Sequence, residues 1–186
     1  MTRVAGYVLA GGESRRFGRD KARAVVDGKP LLLHAADLIT EALGRAPVVV
    51  ARRAGEYEDL GLVTIADETA GRGPLGGLAR ALAHAGDEHD AVLLSPCDWF
   101  GGEASWLRGL VDAWREGDGA VAYREGHWEP LPAVYGTGLL PRVETALESG
   151  DLSLAGLLTA VGARELPRPE DWGRATRIDR MSDLPD

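Results

Sequence analysis

Val4-Ala5-Gly6-Tyr7-Val8-Leu9-Ala10-Gly11-Gly12-Glu13-Ser14-Arg15-Arg16-Phe17-Gly18-Arg19-Asp20-Lys21 is the stretch whose reading decides the fold. Val4 to Leu9 is a short apolar run of the kind that forms a buried strand. It stops at the glycine pair Gly11-Gly12. In an open parallel sheet, ligands bind just beyond the carboxyl ends of the strands. Glycines at such an end let backbone N–H groups approach phosphate oxygens closely. Arg16 would add a forked cationic contact and Lys21 a point charge. The spacing is neither GxxxxGK[ST] nor GxGxxG, which excludes a P-loop and disfavours a dinucleotide site.

Outward from this stretch, strand and helix patterns alternate. Apolar residues at Leu31, Leu32, Ala35, Ala36, Leu38, Ile39 and Leu43 predict a helix over 30–43, with Pro30 in its first turn and Gly44 ending it. Strands are expected at 48–51 and 62–66, a small-residue helix at 76–85, and a strand at 91–95 stopped by Pro96. A helix over 105–116 carries Trp106, Leu110 and Trp114 at helical spacing, as core or cover. The pattern then changes to two strands, 120–124 and 131–135, with the turn-like Glu125-Gly126 early in the link between them. Helices follow at 139–149 and 152–160, then short strands at 164–166 and 175–179. Residues 167–173 read as a mobile loop. The alternation predicts an α/β protein: a three-layer α/β/α, Rossmann-like mixed sheet that is mainly parallel, with antiparallel strands added late.

Composition narrows the function classes. The chain has 186 residues, which points to one domain over 1–186, with a ligand-binding half at 1–100 and a second half at 101–186. Hydrophobic residues are 45% and charged residues 27%, an ordinary balance for a globular protein with a sizeable core. No run approaches the roughly 20 apolar residues of a membrane span, and the first apolar run is too short and glycine-rich for a signal peptide, so a cytoplasmic protein is expected. A formal net charge of −8 argues against a nucleic-acid partner. Arg15, Arg16, Arg19, Lys21 and Arg23 nevertheless cluster, either as a solvated charged stretch or as the seat of a small anionic ligand. The chain has two lysines, Lys21 and Lys29, against nineteen arginines, so a lysine retained here hints at a specific need. Cys97 is the single cysteine, and His34, His84, His89 and His127 show no metal-binding spacing, which disfavours disulfide, redox and zinc chemistry.

LAGGESRRFGRDK (Leu9 to Lys21) resembles the signature loop of nucleotidyltransferases with a glycosyltransferase-A-like fold, the nucleotide-diphospho-sugar transferase type. Among these it is most similar to the molybdenum cofactor guanylyltransferases. Downstream segments agree in order. Gly28-Lys29-Pro30-Leu31 resembles the family's GKPLL, and Gly73-Pro74-Leu75-Gly76-Gly77-Leu78 its GPLAGL. Ser95-Pro96-Cys97-Asp98 resembles CPCD, and Pro130-Leu131-Pro132-Ala133-Val134-Tyr135 resembles PLxAxY.

The resemblance implies transfer of GMP from GTP to the terminal phosphate of molybdopterin, with or without its molybdenum, releasing pyrophosphate with Mg²⁺ as cofactor. Arg16, Lys21 and Asp98 are the implied catalytic residues. Leu9, Ala10, Gly11, Gly12, Lys21, Asp67 and Asp98 are the implied nucleotide-binding set. Asp98 is the implied metal ligand, a hard oxygen donor of the kind Mg²⁺ takes, although taken alone it reads more readily as a cap of the following helix. The late motif Arg177-Ile178-Asp179-Arg180-Met181-Ser182-Asp183-Leu184 lacks the family's Thr-Pro-Glu core but keeps Asp179 as a candidate second metal ligand. Ala51 stands where the family often has an asparagine near the base, which opens the question of base selectivity. Arg124, His127 and Trp128 are candidate acceptor contacts, with Trp128 either stacking on a pterin or packing on the protein. Alternatives are a cytidylyltransferase acting on molybdopterin, a sugar-1-phosphate nucleotidyltransferase, and a non-catalytic nucleotide-binding paralogue. Transient contact with other molybdenum cofactor proteins is also expected.

Overall fold

The computed structural model describes residues 2–11, 20–68, 71–150 and 153–184. The elements in chain order are β1 (Val4–Leu9), β2 (Val25–Val26), β3 (Lys29–Pro30), α1 (Leu31–Leu43), β4 (Val48–Ala51), β5 (Thr64–Ala66), α2 (Gly73–Ala85), β6 (Ala91–Pro96), β7 (Trp99–Phe100), α3 (Ala104–Ala113), β8 (Ala120–Glu125), β9 (His127–Gly136), α4 (Leu140–Ser149), α5 (Leu154–Ala160), β10 (Arg164–Leu166) and β11 (Thr176–Arg177). No helix among the described residues is long and apolar enough to cross a membrane.

Seven strands form one sheet in the order β10-β8-β9-β6-β1-β4-β5. β1 pairs in parallel with β4 and β6, β4 with β5, and β8 with β10. β9 runs antiparallel to both its neighbours, β6 and β8, and is inserted between them. The expected mainly parallel mixed sheet is therefore present.

The period-two alternation of side chains sorts the core into two layers. Val4 and Val8 of β1, with Ala91 and Leu93 of β6, face the layer of α1 and α3 and meet Leu32, Ile39 and Leu107. Ala5 and Tyr7, with Val92 and Leu94, face α2, α4 and α5 and meet Leu75, Leu78, Leu82, Val143 and Leu158. β1 and β6 are covered on both faces, so their sequences are almost wholly apolar, with Ser95 the buried polar exception.

Several boundaries differ from the sequence reading: β9 starts at His127 rather than 131 and β5 at Thr64 rather than 62, and three further shifts have a local cause. α2 begins at Gly73 rather than 76, because Pro74 is compatible with a first helical turn, where its missing N–H is no loss. β6 includes Pro96, which pairs in register with Leu9 at the end of the ladder. α3 stops at Ala113, and Trp114 turns to extended backbone yet remains buried, so it reaches the core from outside the helix. Residues 167–173 hold more structure than a mobile loop. Trp172 lies in a 3-10 turn, Glu170–Arg174, and packs against Trp99, Trp106 and Tyr123 with ring centroids 5.4, 5.3 and 5.1 Å away.

Candidate active site

The carboxyl edge of β1, β4, β5 and β6 gathers the site. Ala10 continues past β1 and donates its N–H to the Val50 carbonyl at 2.9 Å, so Leu9, Ala10 and Gly11 lie between the ends of β4 and β6. Gly77 of α2 lets the helix close on this edge, since a Cβ there would lie 2.6 Å from Leu9 Cδ2. On one side, the Asp67 N–H meets the Ala51 carbonyl at 2.6 Å. On the other, the Cys97 N–H meets the Leu9 carbonyl at 3.1 Å, which carries the chain to Asp98. The edge therefore has an Ala51/Asp67 side and an Asp98 side, with the end of β1 between them. Gly12 and Arg16 lie outside the described residues.

Asp98 is joined by a segment from the far end of the chain. β11 pairs antiparallel with β7, matching Thr176 to Phe100 and Arg177 to Trp99. The Ile178 N–H then donates to the Asp98 carbonyl at 2.9 Å, which brings Asp179 to the same spot. Gly101 makes this approach possible: its φ is +82°, and a Cβ there would lie 2.6 Å from the Arg174 carbonyl oxygen. Asp183 braces the turn by accepting from the backbone N–H of Asp179 at 2.9 Å and of Arg180 at 2.7 Å.

Lys21 bridges the two carboxylates. Its Nζ is 2.7 Å from Asp98 Oδ2 and 3.1 Å from Asp179 Oδ1. The Lys21 and Asp98 side chains are 15% and 16% exposed, and Asp179 is 61% exposed, so the site opens to solvent on the Asp179 side. Burial opposes the Lys21 charge, but hydrogen bonds and charge from Asp98 and then Asp179 outweigh it, and its pKa is raised. Lys21 is thus a fixed cation. The other oxygen, Asp98 Oδ1, is buried and has no hydrogen-bond partner among the described residues. A buried anionic oxygen left unsatisfied is unfavourable unless a ligand completes it. Cys97 beside it is buried, and burial pushes its thiol up to about 12, so it is no nucleophile at neutral pH.

The structure brings Lys21, Asp98 and Asp179 together, with Leu9–Gly11 and Asp67 on the same edge. The late candidates behave differently. Trp128 donates Nε1–H to Thr159 Oγ1 at 2.9 Å and packs on the core, and the Arg124 guanidinium lies over its ring at 4.8 Å. Its indole N–H and one ring face are thereby engaged within the protein, and Arg124 also pairs with Glu165. His127 is held by Arg168 at 2.9 Å and faces Glu129 at 3.2 Å. These residues form the tip of the β8–β9 hairpin. They extend past the edge where β6 ends, beyond an irregular register that sets aside residues 130–132, including a cis Leu131-Pro132 bond. The β7–β11 pairing and the bracing by Asp183 were not anticipated from sequence. A strand was expected at 175–179, where β11 lies, but the two residues of β7 leave no periodic signal to reveal its partner.

A three-layer sheet of this order, gathering two carboxylates and a cation where its central parallel strands end, has the architecture of a nucleotidyltransferase. Comparison with known proteins agrees. A protein of Opitutus terrae named probable molybdenum cofactor guanylyltransferase is 39% identical over 190 residues, covering 97% of this chain and 92% of that protein. One of the same name from Pyrococcus furiosus is 32% identical over 195 residues, covering 97% and 94%. The crystal structure of molybdopterin-guanine dinucleotide biosynthesis protein A from Archaeoglobus fulgidus superposes with a TM-score of 0.78 at 22% identity, covering 97% of this chain and 94% of that one. Residues 6–165 match the MobA-like NTP transferase domain, and the chain belongs to that family. Nucleotidyltransferases of this type generally depend on a divalent metal.

Proposed function

We propose that this enzyme transfers the GMP unit of GTP to the terminal phosphate of molybdopterin and releases pyrophosphate. The observation that carries the reading is the convergence of Lys21, Asp98 and Asp179 at the end of β1 and β6. The names of the relatives supply the nucleotide and acceptor. An acceptor phosphate oxygen attacks the α-phosphorus of GTP, and the bond from that phosphorus to the β-bridging oxygen breaks. Pyrophosphate leaves with the bonding electron pair. The acceptor oxygen is already anionic, so no general base is needed, and catalysis is positioning and charge neutralisation.

The residues present fit Mg²⁺. Asp98 offers a hard oxygen with no hydrogen-bond partner among the described residues, and Asp179 a second carboxylate at the open side. Bound there, Mg²⁺ would supply charge neutralisation at the phosphates, held by Asp98 and Asp179 and by substrate oxygens. Lys21 delivers its charge to the triphosphate from the same corner, with Arg16 as its companion in the signature loop. Backbone groups of Leu9, Ala10, Gly11 and Gly12 cradle the nucleotide, and Asp67 meets it from the β5 side. The side chain of Ala51 cannot hydrogen-bond a base, so base choice falls to backbone groups. A nucleoside triphosphate substrate is consistent with a cytoplasmic reaction, whose product would pass to other molybdenum cofactor proteins.

The test is Mg²⁺-dependent pyrophosphate release with molybdopterin, offering GTP, CTP, ATP and UTP separately. Release with GTP alone is expected. Release with CTP instead would move the enzyme to cytidylyl transfer, and no release with any nucleotide would overturn the assignment.

A further inference from the structure

Lys21 sits in a single 3-10 turn, Lys21–Arg23, which is too short to hold a long side chain by itself. The turn itself is tied to the link between β4 and β5, while the ammonium end of the side chain is held by Asp98 and Asp179. On the near side of Lys21, Asp20 caps the turn by accepting the Ala22 N–H at 3.0 Å. Tyr57 donates its hydroxyl to that same carboxylate, 3.2 Å from Oδ1 and 3.1 Å from Oδ2. On the far side, Arg23 forks onto Asp59 at 2.7 and 2.9 Å and donates to the Glu56 carbonyl at 2.9 Å. The Arg23 guanidinium also lies over the Tyr57 ring, 5.1 Å from its centroid. The Tyr57 ring is 1% exposed within the α1–α3 core layer. Tyr57 therefore ties the turn that carries Lys21 to the rigid part of the molecule.

We propose that Tyr57 is a positioning residue for the reaction: through Asp20 it fixes the turn that aims the Lys21 ammonium at the triphosphate and at Asp98. This deepens the reading of Lys21 as the cation that meets the nucleotide, and it rests on that reading for its kinetic consequence. The hydroxyl stays a proton donor at any working pH, because burial, and then the Asp20 charge, raise its pKa. The Asp20 carboxylate also meets the Ala22 N–H and, at 3.4 Å, Arg23 Nε, and the Tyr57 hydroxyl is the contact among these that comes from the buried core. The capped turn then has one geometry, and so does the root of the Lys21 side chain.

Tyr57→Phe removes the hydroxyl and keeps the ring. The chain has two lysines, so a spectrum of ¹⁵N-labelled ammonium groups has two side-chain signals, and Lys29, paired with Asp37, is the internal reference. In the wild type the Lys21 signal is expected to be sharp and slowly exchanging. In Tyr57→Phe it should broaden or exchange at least about fivefold faster while Lys29 is unchanged, the scale expected when one charge-assisted hydrogen bond is lost. Asp20→Asn, which still accepts the Ala22 N–H, should move the same signal. Affinity for Mg²⁺-GTP should fall about tenfold in Tyr57→Phe, and that loss should vanish in the Lys21→Met background. An unmoved Lys21 signal in Tyr57→Phe, or affinity losses that simply add in the double variant, would overturn the proposal, whatever happens to the melting temperature. A wild type that neither binds nor turns over GTP would instead sink the guanylyltransferase reading, and the lysine spectrum would still decide the role of Tyr57.

Discussion

Asp98→Ala separates what this residue does for stability from what it does for chemistry. The ion pair it makes with Lys21 is short and only 15–16% exposed at either side chain, so it belongs with charge-assisted hydrogen bonds that contribute about 1.5–3 kcal/mol. Its second oxygen is buried without a partner, which costs about 1–3 kcal/mol. The two nearly offset each other. Truncation also leaves Lys21 beside Asp179 at the open side of the site, so no cation is stranded. The net change in stability is expected to lie within about 1 kcal/mol, a melting shift of no more than roughly 4 °C for a chain of this size. Turnover should fall by about a thousandfold, near 4 kcal/mol, the scale of losing one preorganised electrostatic contact. Pyrophosphate release and differential scanning calorimetry on the same sample read both quantities. A variant within tenfold of wild-type activity, or one melting more than about 10 °C lower, would show that Asp98 is a structural cap rather than a functional ligand.

Lys21→Met should raise the affinity of the site for Mn²⁺ alone while lowering turnover, because the lysine occupies the carboxylates a metal would take; an electron paramagnetic resonance titration reads the first effect. Gly101→Ala places a methyl group against the Arg174 carbonyl at a residue with positive φ, so it should loosen the β7–β11 pair and weaken Mn²⁺ binding in the presence of GTP by about tenfold, with a loss of roughly 1–3 kcal/mol in urea unfolding. Asp183→Ala should reduce metal-dependent turnover with little effect on overall stability, since it releases the backbone N–H groups that orient Asp179 and the Ser182 hydroxyl, all on an exposed turn. Asp118 has its pKa lowered, first by the forked hydrogen bonds from Arg164 at 3.0 Å. A depressed carboxylate pKa stabilises the fold above the unfolded value of 3.8, and that contribution disappears as pH falls through the folded value. Wild type and Asp118→Asn should therefore differ in stability at neutral pH, begin to converge as pH falls below about 3.8, and meet once it is below the folded value, in acid unfolding curves.

The long elements were readable because each buries a face with a fixed period. β1, β4 and β10 fall on the expected residues, and α1 differs only at Pro30, which sits just before the helix. The hairpin of β2 and β3 was missed although Asp27-Gly28, both with positive φ, is a strong turn signal, because two-residue strands carry no alternation around it. At the site, Lys21, Asp98 and Asp179 could be named from their motifs, but not their mutual contact. That contact depends on a strand pair between residues far apart in the chain and on the backbone freedom of Gly101. Tyr57 left no signal in the sequence. A lone aromatic among Glu56, Glu58 and Asp59 looks like surface, and only the fold turns its ring inward and its hydroxyl toward Asp20.

The packing of Trp99, Trp106 and Trp172 gives the molecule an optical readout of its own. Three indoles with centroids 5.3–5.7 Å apart are close enough for their excited states to couple, so their near-ultraviolet circular dichroism depends on mutual tilt. Trp99 follows Asp98 directly in the chain, and Trp172 belongs to the segment that leads into β11 and Asp179. The coupled chromophore thus spans both covalent arms of the site. Any movement of one arm against the other as the carboxylates exchange an ammonium for a metal would be written into that spectrum, with no label attached to the protein.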